Sequence, residues 1–277
     1  MKTFQVDLYE EYGLSRSGGE KGILTCYVRG QGNGVAMRPA MLVLPGGGYE
    51  NCSDREGEPV ALYFTGRGYH SFVLDYSVKP FAYPTHFNEA CLAVHYIRTH
   101  AKELGVIPSQ IAAVGFSAGG HLLGMISTAY QGCSYAQTLG VSPQAFRPDA
   151  AIYSYPVVTA GKDATHGGSV LSWMGGNEDL RPYFSVENHV SEHSAPAFIW
   201  HTVADGLVPV QNSLLLASAY QKAGVPYELH LFDKGPHGLS LCSKETFVGW
   251  DDYIDPHVEK WLILAEEWLA RLGFSIK

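Results

Sequence analysis

Short apolar runs alternate with amphipathic helical segments along most of this 277-residue chain, and this alternation constrains the fold more than any other feature. Several of the runs are apolar at consecutive positions, as strands covered on both faces of a sheet require. Seven runs are predicted as strands: residues 23–29, 40–44, 70–76, 111–116, 150–155, 197–203 and 227–232. The helical candidates are residues 86–104, 118–130, 210–223 and 256–272. The pattern predicts an α/β fold, with a mostly parallel twisted sheet and helices on both faces.

One segment breaks this rhythm. Residues 157–195 are rich in Gly, Asp, His and Ser, and an insertion of this length between two late strands is typical of a small cap or a substrate-binding segment. No internal repeat, low-complexity tract or long linker is present, so we expect residues 1–277 to form one domain. The first 35 residues lack a long helix, so any cap should come mostly from 157–195.

Charge and cysteine usage exclude several classes of function. The formal net charge is −8 and no run of Lys or Arg stands out, which argues against nucleic acid or an anionic membrane surface as a partner. No stretch approaches the roughly 20 apolar residues of a membrane span, and the start MKTFQVDLYEEYG lacks the apolar core of a secretory signal. The five cysteines are widely spread and form no CxxC pair, which predicts reduced thiols in a cytoplasmic protein.

The strongest chemical motif is GFSAGG, which places Ser117 between the predicted strand 111–116 and a helix beginning at Ala118. A serine on such a sharp strand-to-helix turn holds its hydroxyl above the sheet edge. Gly115 and Gly119 let the neighbouring backbone approach without a clash. The positive end of the helix also points at negative charge that develops beside the serine. We therefore predict that Ser117 is a nucleophile rather than an inert turn residue.

A serine nucleophile needs a base, and His237 is the best-placed histidine. It lies in KGPHGL, a glycine- and proline-rich loop that follows the last predicted strand. The other histidines considered lie inside that strand or on predicted helices, and we expect them to be structural or surface residues: His95, His121, His230 and His257.

The base in turn needs a carboxylate that fixes its tautomer, and Asp205 in HTVADGLVPV is the leading candidate. Asp205 follows the strand 197–203, which gives the chain order Ser117, Asp205, His237 of an α/β-hydrolase sheet. Asp205 could instead cap the helix predicted near Val210. The competing carboxylates fit the order less well: Asp75, Asp149 and Asp163.

The stretch LPGGGY follows the strand 40–44 and admits three interpretations on its own. Its glycines could cradle a phosphate, form a tight turn, or hold backbone amides open toward a reacting oxygen. Its position before the serine motif, on a neighbouring strand, favours the third. A Gly47→Val or Gly48→Val protein should then fold and lose turnover.

Together these motifs resemble the α/β-hydrolase superfamily, and within it the acetylxylan/feruloyl-esterase-like and hormone-sensitive-lipase-like esterases. The resemblance rests on five segments, which occur in the expected order over residues 22–272: LPGGGY, DYSVKPFAYP, GFSAGGHL, HTVADGLVPV and GPHGL. The resemblance implies an oxyanion hole formed by the backbone amides of Gly47, Gly48 and Ala118. Pro45 stands where the lipase-like members have histidine, which favours the carbohydrate-esterase-like branch. Ser77 and Val78 replace an Arg-Leu pair of that group.

The sequence thus predicts a serine esterase of short-acyl esters, with acetylated sugars favoured by the resemblance and no metal or organic cofactor needed. Tyr49, Trp173 and Met174 are candidates for lining the substrate pocket. His189 and His193 are four residues apart and could chelate a metal on a helix, although a third ligand is missing and a surface pair is favoured. The expected partner is a small-molecule ester, and a homo-oligomer is compatible with the sequence.

The sequence is compatible with three alternative functions. A serine peptidase or amidase would use the same triad on small amide substrates. A nucleotide-binding protein would use the glycine-rich stretch differently, but neither GxxxxGK[ST] nor GxGxxG is present. A non-catalytic binding protein of the same fold is the third, and the complete triad argues against it.

Overall fold

One twisted sheet runs through the molecule. The computed structural model describes residues 1–30, 37–161, 164–247, 249 and 251–277. Within these ranges eight strands form the sheet: β1 Lys2–Asp7, β2 Ile23–Val28, β3 Arg38–Leu44, β4 His70–Asp75, β5 Val106–Phe116, β6 Ala150–Ser154, β7 Ala197–Thr202 and β8 Tyr227–Phe232. Their spatial order is β1-β2-β4-β3-β5-β6-β7-β8.

The sheet is mostly parallel. The six strands from β4 to β8 in the spatial order run parallel, and only the pairs β1/β2 and β2/β4 are antiparallel. All seven predicted strands are present, so the predicted sheet is confirmed. The sequence pattern missed β1, because this edge strand is largely exposed and carries few apolar residues that would mark it.

Helices cover both faces of the sheet, as predicted. The α-helices are α1 Leu8–Glu11, α2 Glu58–Gly66, α3 Thr85–Thr99, α4 Ala101–Leu104, α5 Ala118–Thr128, α6 Tyr135–Leu139, α7 Gly167–Met174, α8 Arg181–Phe184, α9 Gln211–Ala223 and α10 Trp261–Arg271. One core lies between the sheet and α3, α5 and α9, and a second lies between the sheet and α2 and α10. Strand β3 serves both cores, because Leu42 packs into the first and Met41 into the second.

Three predicted elements differ from the structure by a break or by more than two residues at one end. The predicted helix 86–104 is divided at His100 into α3 and α4. The predicted helix 256–272 begins as an α-helix only at Trp261. Strand β5 starts five residues before the predicted position, at Val106, because the run VIPSQ that precedes the apolar core of the strand is also extended.

The segment 157–195 lies between β6 and β7 and contains α7 and α8. It packs closely on the body of the protein: the rings of Trp173 and Tyr83 are 4.6 Å apart, and the Trp173 carbonyl accepts from the Tyr83 amide at 2.9 Å. A Cβ on Gly124 of α5 would lie only 2.7 Å from Val186, so a glycine is needed at this contact. In the described ranges no helix is long and apolar enough to span a membrane.

The parallel strands bring the predicted catalytic loops to one edge of the sheet. The loops after β3, β5, β7 and β8 all leave from the carboxyl ends of their strands, where ligand sites of open α/β sheets form. Leu44 at the end of β3 pairs in register with Gly115 near the end of β5. The loop with the glycine run and the turn with Ser117 therefore begin side by side.

Candidate active site

Ser117 occupies a strained turn between β5 and α5. Its backbone angles are φ 52° and ψ −117°, a conformation that costs a non-glycine residue roughly 1–3 kcal/mol. The flanking glycines are needed for close approach, since a Cβ on Gly115 would lie 2.4 Å from the Gly119 carbonyl oxygen. A Cβ on Gly119 would lie 2.2 Å from the carbonyl oxygen of Leu44. The fold thus holds the serine at the sheet edge despite the backbone strain.

His237 contacts Ser117 directly. Its Nε2 lies 2.8 Å from the Ser117 Oγ, and its Nδ1 lies 2.6 Å from Oδ2 of Asp205. An ionised carboxylate can only accept, so the proton is on Nδ1 and Nε2 is free to accept the serine proton. This is the tautomer that a general base for Ser117 requires.

Asp205 is buried and receives four hydrogen bonds. Oδ1 accepts from the amides of Leu207 and Val208, each at 2.9 Å, and Oδ2 accepts from His237 and from Nε2 of His201 at 3.2 Å. Burial alone would raise the pKa of Asp205, but the hydrogen bonds from His201 and His237 hold this pKa well below its usual range. The carboxylate is therefore ionised at neutral pH.

The competing carboxylates are engaged elsewhere. Asp75 pairs with Lys21 at 2.9 Å, and Asp149 pairs with Arg98 at 3.2 Å while it accepts from the Ile111 amide. Asp163, the third competitor, lies outside the described residues. Asp205 does not cap α9 either, since the residue before that helix is Val210 and its side chain makes no capping bond.

The amides predicted to form the oxyanion hole have no hydrogen-bond partner among the described residues. Among the hydrogen bonds of the described residues, none uses the N–H of Gly47, Gly48 or Ala118. The preceding amide, that of Gly46, is bound instead by the carboxylate of Glu56 at 2.8 Å. Ala118 is also the first residue of α5, so its amide adds the positive end of a helix. Unpaired amides beside a nucleophilic serine can accept the charge of a tetrahedral intermediate.

The three residues predicted to line the substrate pocket lie in the core. The exposed fractions of Tyr49, Trp173 and Met174 are 0%, 0% and 2%. The Tyr49 hydroxyl bonds Nδ1 of His121 at 2.7 Å, and Nε2 of the same histidine bonds the Phe184 carbonyl at 2.8 Å. This corrects the prediction, since these side chains offer no surface to a substrate here. They pack in the core beneath the glycine-rich loop and the insertion. His121 is structural, as expected.

A histidine that the sequence did not single out lies beside the glycine-rich loop. His166 precedes α7, and its Nδ1 accepts from the Ser169 amide at 3.3 Å, so the neutral ring carries its proton on Nε2. The ideal Cβ position on Gly48 is 4.0 Å from Cε1 of His166. Burial and the neighbouring His237 lower the pKa of His166 below its ordinary 6.5. At neutral pH this ring is an uncharged donor from the insertion.

Ser77, which replaces the arginine of the resembled esterases, is paired with a buried carboxylate. Glu89 accepts from the Ser77 amide and hydroxyl, each at 2.6 Å, and from the Tyr9 hydroxyl at 3.0 Å. Burial raises the pKa of Glu89 to about 7. The serine thus provides two neutral donors at this position.

The histidine pair of the insertion has separate partners. His189 follows a short 3₁₀ turn rather than lying on an α-helix, and its Nε2 bonds the Tyr183 carbonyl at 2.7 Å. His193 lies 3.8 Å from Glu192 at the surface. In the part of the chain that the structure describes, no three His, Cys, Asp or Glu side chains are grouped so that they could hold a metal ion.

Comparison with known proteins identifies one family model and several relatives that resemble the chain. A family model described as BD-FAE matches residues 30–220. The chain is 35% identical over 263 residues to the endo-1,4-beta-xylanase B of Butyrivibrio fibrisolvens, covering 90% of this chain and 40% of that protein. It is 28% identical over 267 residues to the acetylxylan esterase of Xylanibacter ruminicola, covering 94% of this chain and 52% of that protein. The chain spans about half the length, or less, of these two relatives.

A solved structure matches the whole chain. The acetyl ester-xyloside bifunctional hydrolase from Caldicellulosiruptor lactoaceticus superposes with a TM-score of 0.84 at 33% identity, over 98% of this chain and 97% of that chain. The match to solved α/β hydrolases confirms the predicted fold class and the resemblance stated from the motifs. Because this family model matches more than half of the chain, the chain belongs to the BD-FAE family.

Proposed function

We propose that this protein is a serine carboxylesterase that hydrolyses short-acyl esters, with acetylated carbohydrates as its substrate class. The carrying observation is the continuous chain of contacts from Ser117 Oγ through His237 to Asp205, at 2.8 and 2.6 Å. The substrate class is supported by the relatives whose names contain acetylxylan esterase and acetyl ester-xyloside hydrolase.

The first half of the reaction acylates the serine. His237 Nε2 accepts the Ser117 proton as Oγ attacks the ester carbonyl, and the carbonyl π electrons move onto the oxygen. The amides of Gly47, Gly48 and Ala118 hold this oxyanion, and one such donor is typically worth about 10²–10³ in rate. When the tetrahedral intermediate collapses, the C–O bond to the alcohol breaks and His237 delivers the proton to the leaving oxygen.

The second half releases the acid. Water gives a proton to His237 Nε2 and adds to the acyl carbon, and the same amides hold the second oxyanion. Collapse of this intermediate returns the proton to Ser117 Oγ. Asp205 stays ionised throughout and stabilises the imidazolium that forms in both halves.

His166 is proposed to contact the alcohol part of the substrate. Its Nε2–H makes no hydrogen bond within the described residues, and the ring lies beside the glycine-rich loop. A sugar hydroxyl or ring oxygen is a suitable acceptor for this donor. The segment 157–195 would in this way contribute to recognition without taking part in the proton transfers.

We propose a cytoplasmic location for the protein. The five cysteines are free thiols, four of them buried, which supports the cytoplasmic location expected from cysteine usage. The proposed partner is a small-molecule ester. The solution mass of the purified protein tests whether it forms a homo-oligomer.

The test compares wild type with Ser117→Ala in p-nitrophenyl acetate hydrolysis and in labelling by a fluorophosphonate. We expect the variant to lose labelling and at least about 10³-fold in kcat. The exposed Ser218→Ala on α9 is the matched control and should keep both. Equal turnover in wild type and Ser117→Ala would overturn the assignment.

Two substrate series refine the proposal. Acetate to decanoate p-nitrophenyl esters test the short-acyl preference, which is wrong if the longer esters are favoured. Acetylated xylo-oligosaccharides and aminoacyl amides separate an esterase from a peptidase or amidase with the same triad. Preferential amide cleavage would replace the proposed function by that alternative.

A further inference from the structure

Glu56 is a buried carboxylate that bonds two different loops of the site. It is 4% exposed and lies in the segment after the glycine-rich loop. Its Oε2 accepts from the Gly46 amide at 2.8 Å, and its Oε1 accepts from the Tyr155 hydroxyl at 2.6 Å. Burying a carboxylate is costly unless donors satisfy it, and here a backbone amide and a phenol are the donors. No sequence motif marks this residue.

Tyr155 connects this carboxylate to the histidine loop. It follows β6 with φ 38°, a strained backbone conformation for a tyrosine. Its hydroxyl accepts from the Ser240 amide at 2.9 Å, and its ring lies edge-on to the ring of His237 with the centroids 5.0 Å apart. Burial, reinforced by the charge of Glu56, keeps the pKa of Tyr155 well above its usual range. The phenol therefore keeps its proton and stays a donor to the carboxylate.

Arg55 adds parallel contacts to the same loop. Its guanidinium donates to the Gly238 carbonyl at 2.9 Å and to the Thr246 carbonyl at 2.7 Å. The Ser240 hydroxyl in return donates to the Arg55 carbonyl at 2.7 Å, and Ser240 itself has a φ of 52°. The residues directly after His237 are thus held by the segment that also holds the glycine-rich loop.

We propose that Glu56 and Tyr155 act as a positioning pair that sets the oxyanion amides and the imidazole of His237 relative to each other. This rests on the proposed serine-esterase mechanism. Fixing the Gly46 amide on Glu56 leaves the next two amides unpaired and directed to the substrate oxygen. Misplaced amides stabilise the transition state less, while a ground-state substrate is bound mainly by other contacts. Loss of the pair should therefore lower kcat and leave KM nearly unchanged.

The experiment uses Glu56→Gln, Tyr155→Phe and the double variant in the full-length protein. Glu56→Gln keeps the shape but offers an N–H to one of two donors, and Tyr155→Phe removes the hydroxyl alone. We expect each single variant to lose about 10–100-fold in kcat, with KM within about threefold. The loss of kcat in the double variant should be no larger than in the more impaired single variant, because Glu56 and Tyr155 act through one connection.

A transition-state analogue gives the readout that a merely structural role would not move. Phenylboronic acid forms a tetrahedral adduct on Ser117 whose oxygen occupies the oxyanion site. Its affinity should fall in parallel with kcat/KM across the variants, while the affinity for the alcohol product is retained. A second Glu–Tyr pair nearby provides the matched control, since Glu58 accepts from the Tyr27 hydroxyl at 3.1 Å. Glu58→Gln and Tyr27→Phe should leave kcat and boronate affinity unchanged.

Hydrogen exchange separates this proposal from the proposed function. Glu56→Gln and Tyr155→Phe should accelerate exchange of the Gly46 and Ser240 amides together, whether or not the protein hydrolyses esters. Additive losses in the double variant, wild-type boronate affinity, or unchanged exchange at these amides would each overturn the positioning role. If Glu56→Gln does not fold, Tyr155→Phe alone carries the test. A wild-type protein that is neither labelled nor active would refute the esterase function and leave the exchange result to decide the connection.

Discussion

His201 donates from Nε2 to Oδ2 of Asp205 at 3.2 Å, the same oxygen that receives His237. The His201 Nε2 also bonds the Val208 carbonyl at 3.0 Å, and its Nδ1 lies 2.8 Å from the Ser213 hydroxyl. Both partners of Nε2 are acceptors, so the proton is on that nitrogen and the tautomer is fixed. The fully buried imidazole of His201 therefore orients the carboxylate that, in the proposed mechanism, orients His237.

We expect His201→Phe to lower kcat by about tenfold and the free energy of unfolding by about 1–3 kcal/mol, because a hydrogen bond to a buried charged group is lost. Steady-state kinetics and urea denaturation measure the two effects. His230→Phe on β8 is the control, since His230 pairs with Glu228 and has no contact with Asp205. Wild-type kcat in His201→Phe would show that the two amides and His237 suffice to hold Asp205.

Asp205→Asn should lower kcat by about 10⁴-fold with little change in KM, because an amide cannot hold the required His237 tautomer. The comparison is Asp149→Asn, which removes a carboxylate paired with Arg98. That variant should lose stability and keep the kcat of wild type. The assignment of the third triad member is wrong if Asp149→Asn loses more activity than Asp205→Asn.

Gly47→Ala and Gly48→Ala should differ, although both glycines have positive φ. A Cβ on Gly47 would lie 2.2 Å from the Asn51 carbonyl oxygen, whereas none of the atoms around a Cβ on Gly48 is closer than 4.0 Å. We expect Gly47→Ala to fold and to lose about 10²–10³ in kcat/KM, since the loop must shift. In Gly48→Ala the only cost is backbone strain, which lowers the free energy of unfolding by roughly 1–3 kcal/mol, so this variant should lose less activity. Kinetics with thermal melting distinguishes them, and equal losses would contradict the difference in space.

His166→Ala should raise KM for an acetylated xylo-oligosaccharide by about 3–10-fold, the value of one hydrogen bond. It should leave p-nitrophenyl acetate nearly unaffected, because that leaving group has no hydroxyl to accept from Nε2. His189→Ala is the control from the same insertion, since this histidine bonds the Tyr183 carbonyl. Equal effects of His166→Ala on both substrates would argue for a structural role instead.

Glu89 should make the stability of the protein depend on pH. Its folded-state pKa of about 7 lies above the ordinary 4.5, so it stabilises the fold at low pH and loses that contribution as pH rises through 7. Relative to Glu89→Gln, wild type should lose about 2–3 kcal/mol of unfolding free energy between pH 5 and pH 8. Urea denaturation at both pH values measures this difference. The exposed Glu103→Gln variant should show the same pH dependence of the unfolding free energy as wild type. The same pH dependence in Glu89→Gln would refute the assignment.

The sequence predicted the sheet and the order of the motifs because both follow from local patterns. Strand ends, glycines at a sharp turn and a loop histidine are readable from neighbouring residues, as Ser117 and His237 illustrate. The role of Glu56 could not be predicted, because Tyr155 lies 99 residues away along the chain and no motif links Glu56 to Gly46, 10 residues away. Tyr49 was misplaced for a related reason, since the direction of a loop side chain depends on tertiary packing.

The register of β3 on β5, with Leu44 opposite Gly115, has a consequence for recombining this chain with its relatives. The spacing between the proposed oxyanion amides and Ser117 is set by backbone hydrogen bonds between the two strands, so both strands should come from the same parent in a chimaera. The segment 157–195 carries no strand in its described residues, and it can be exchanged together with the residues it packs against, such as Tyr83 and Gly124. Libraries divided in this way should change the preferred alcohol while the chemistry of acyl transfer is inherited intact.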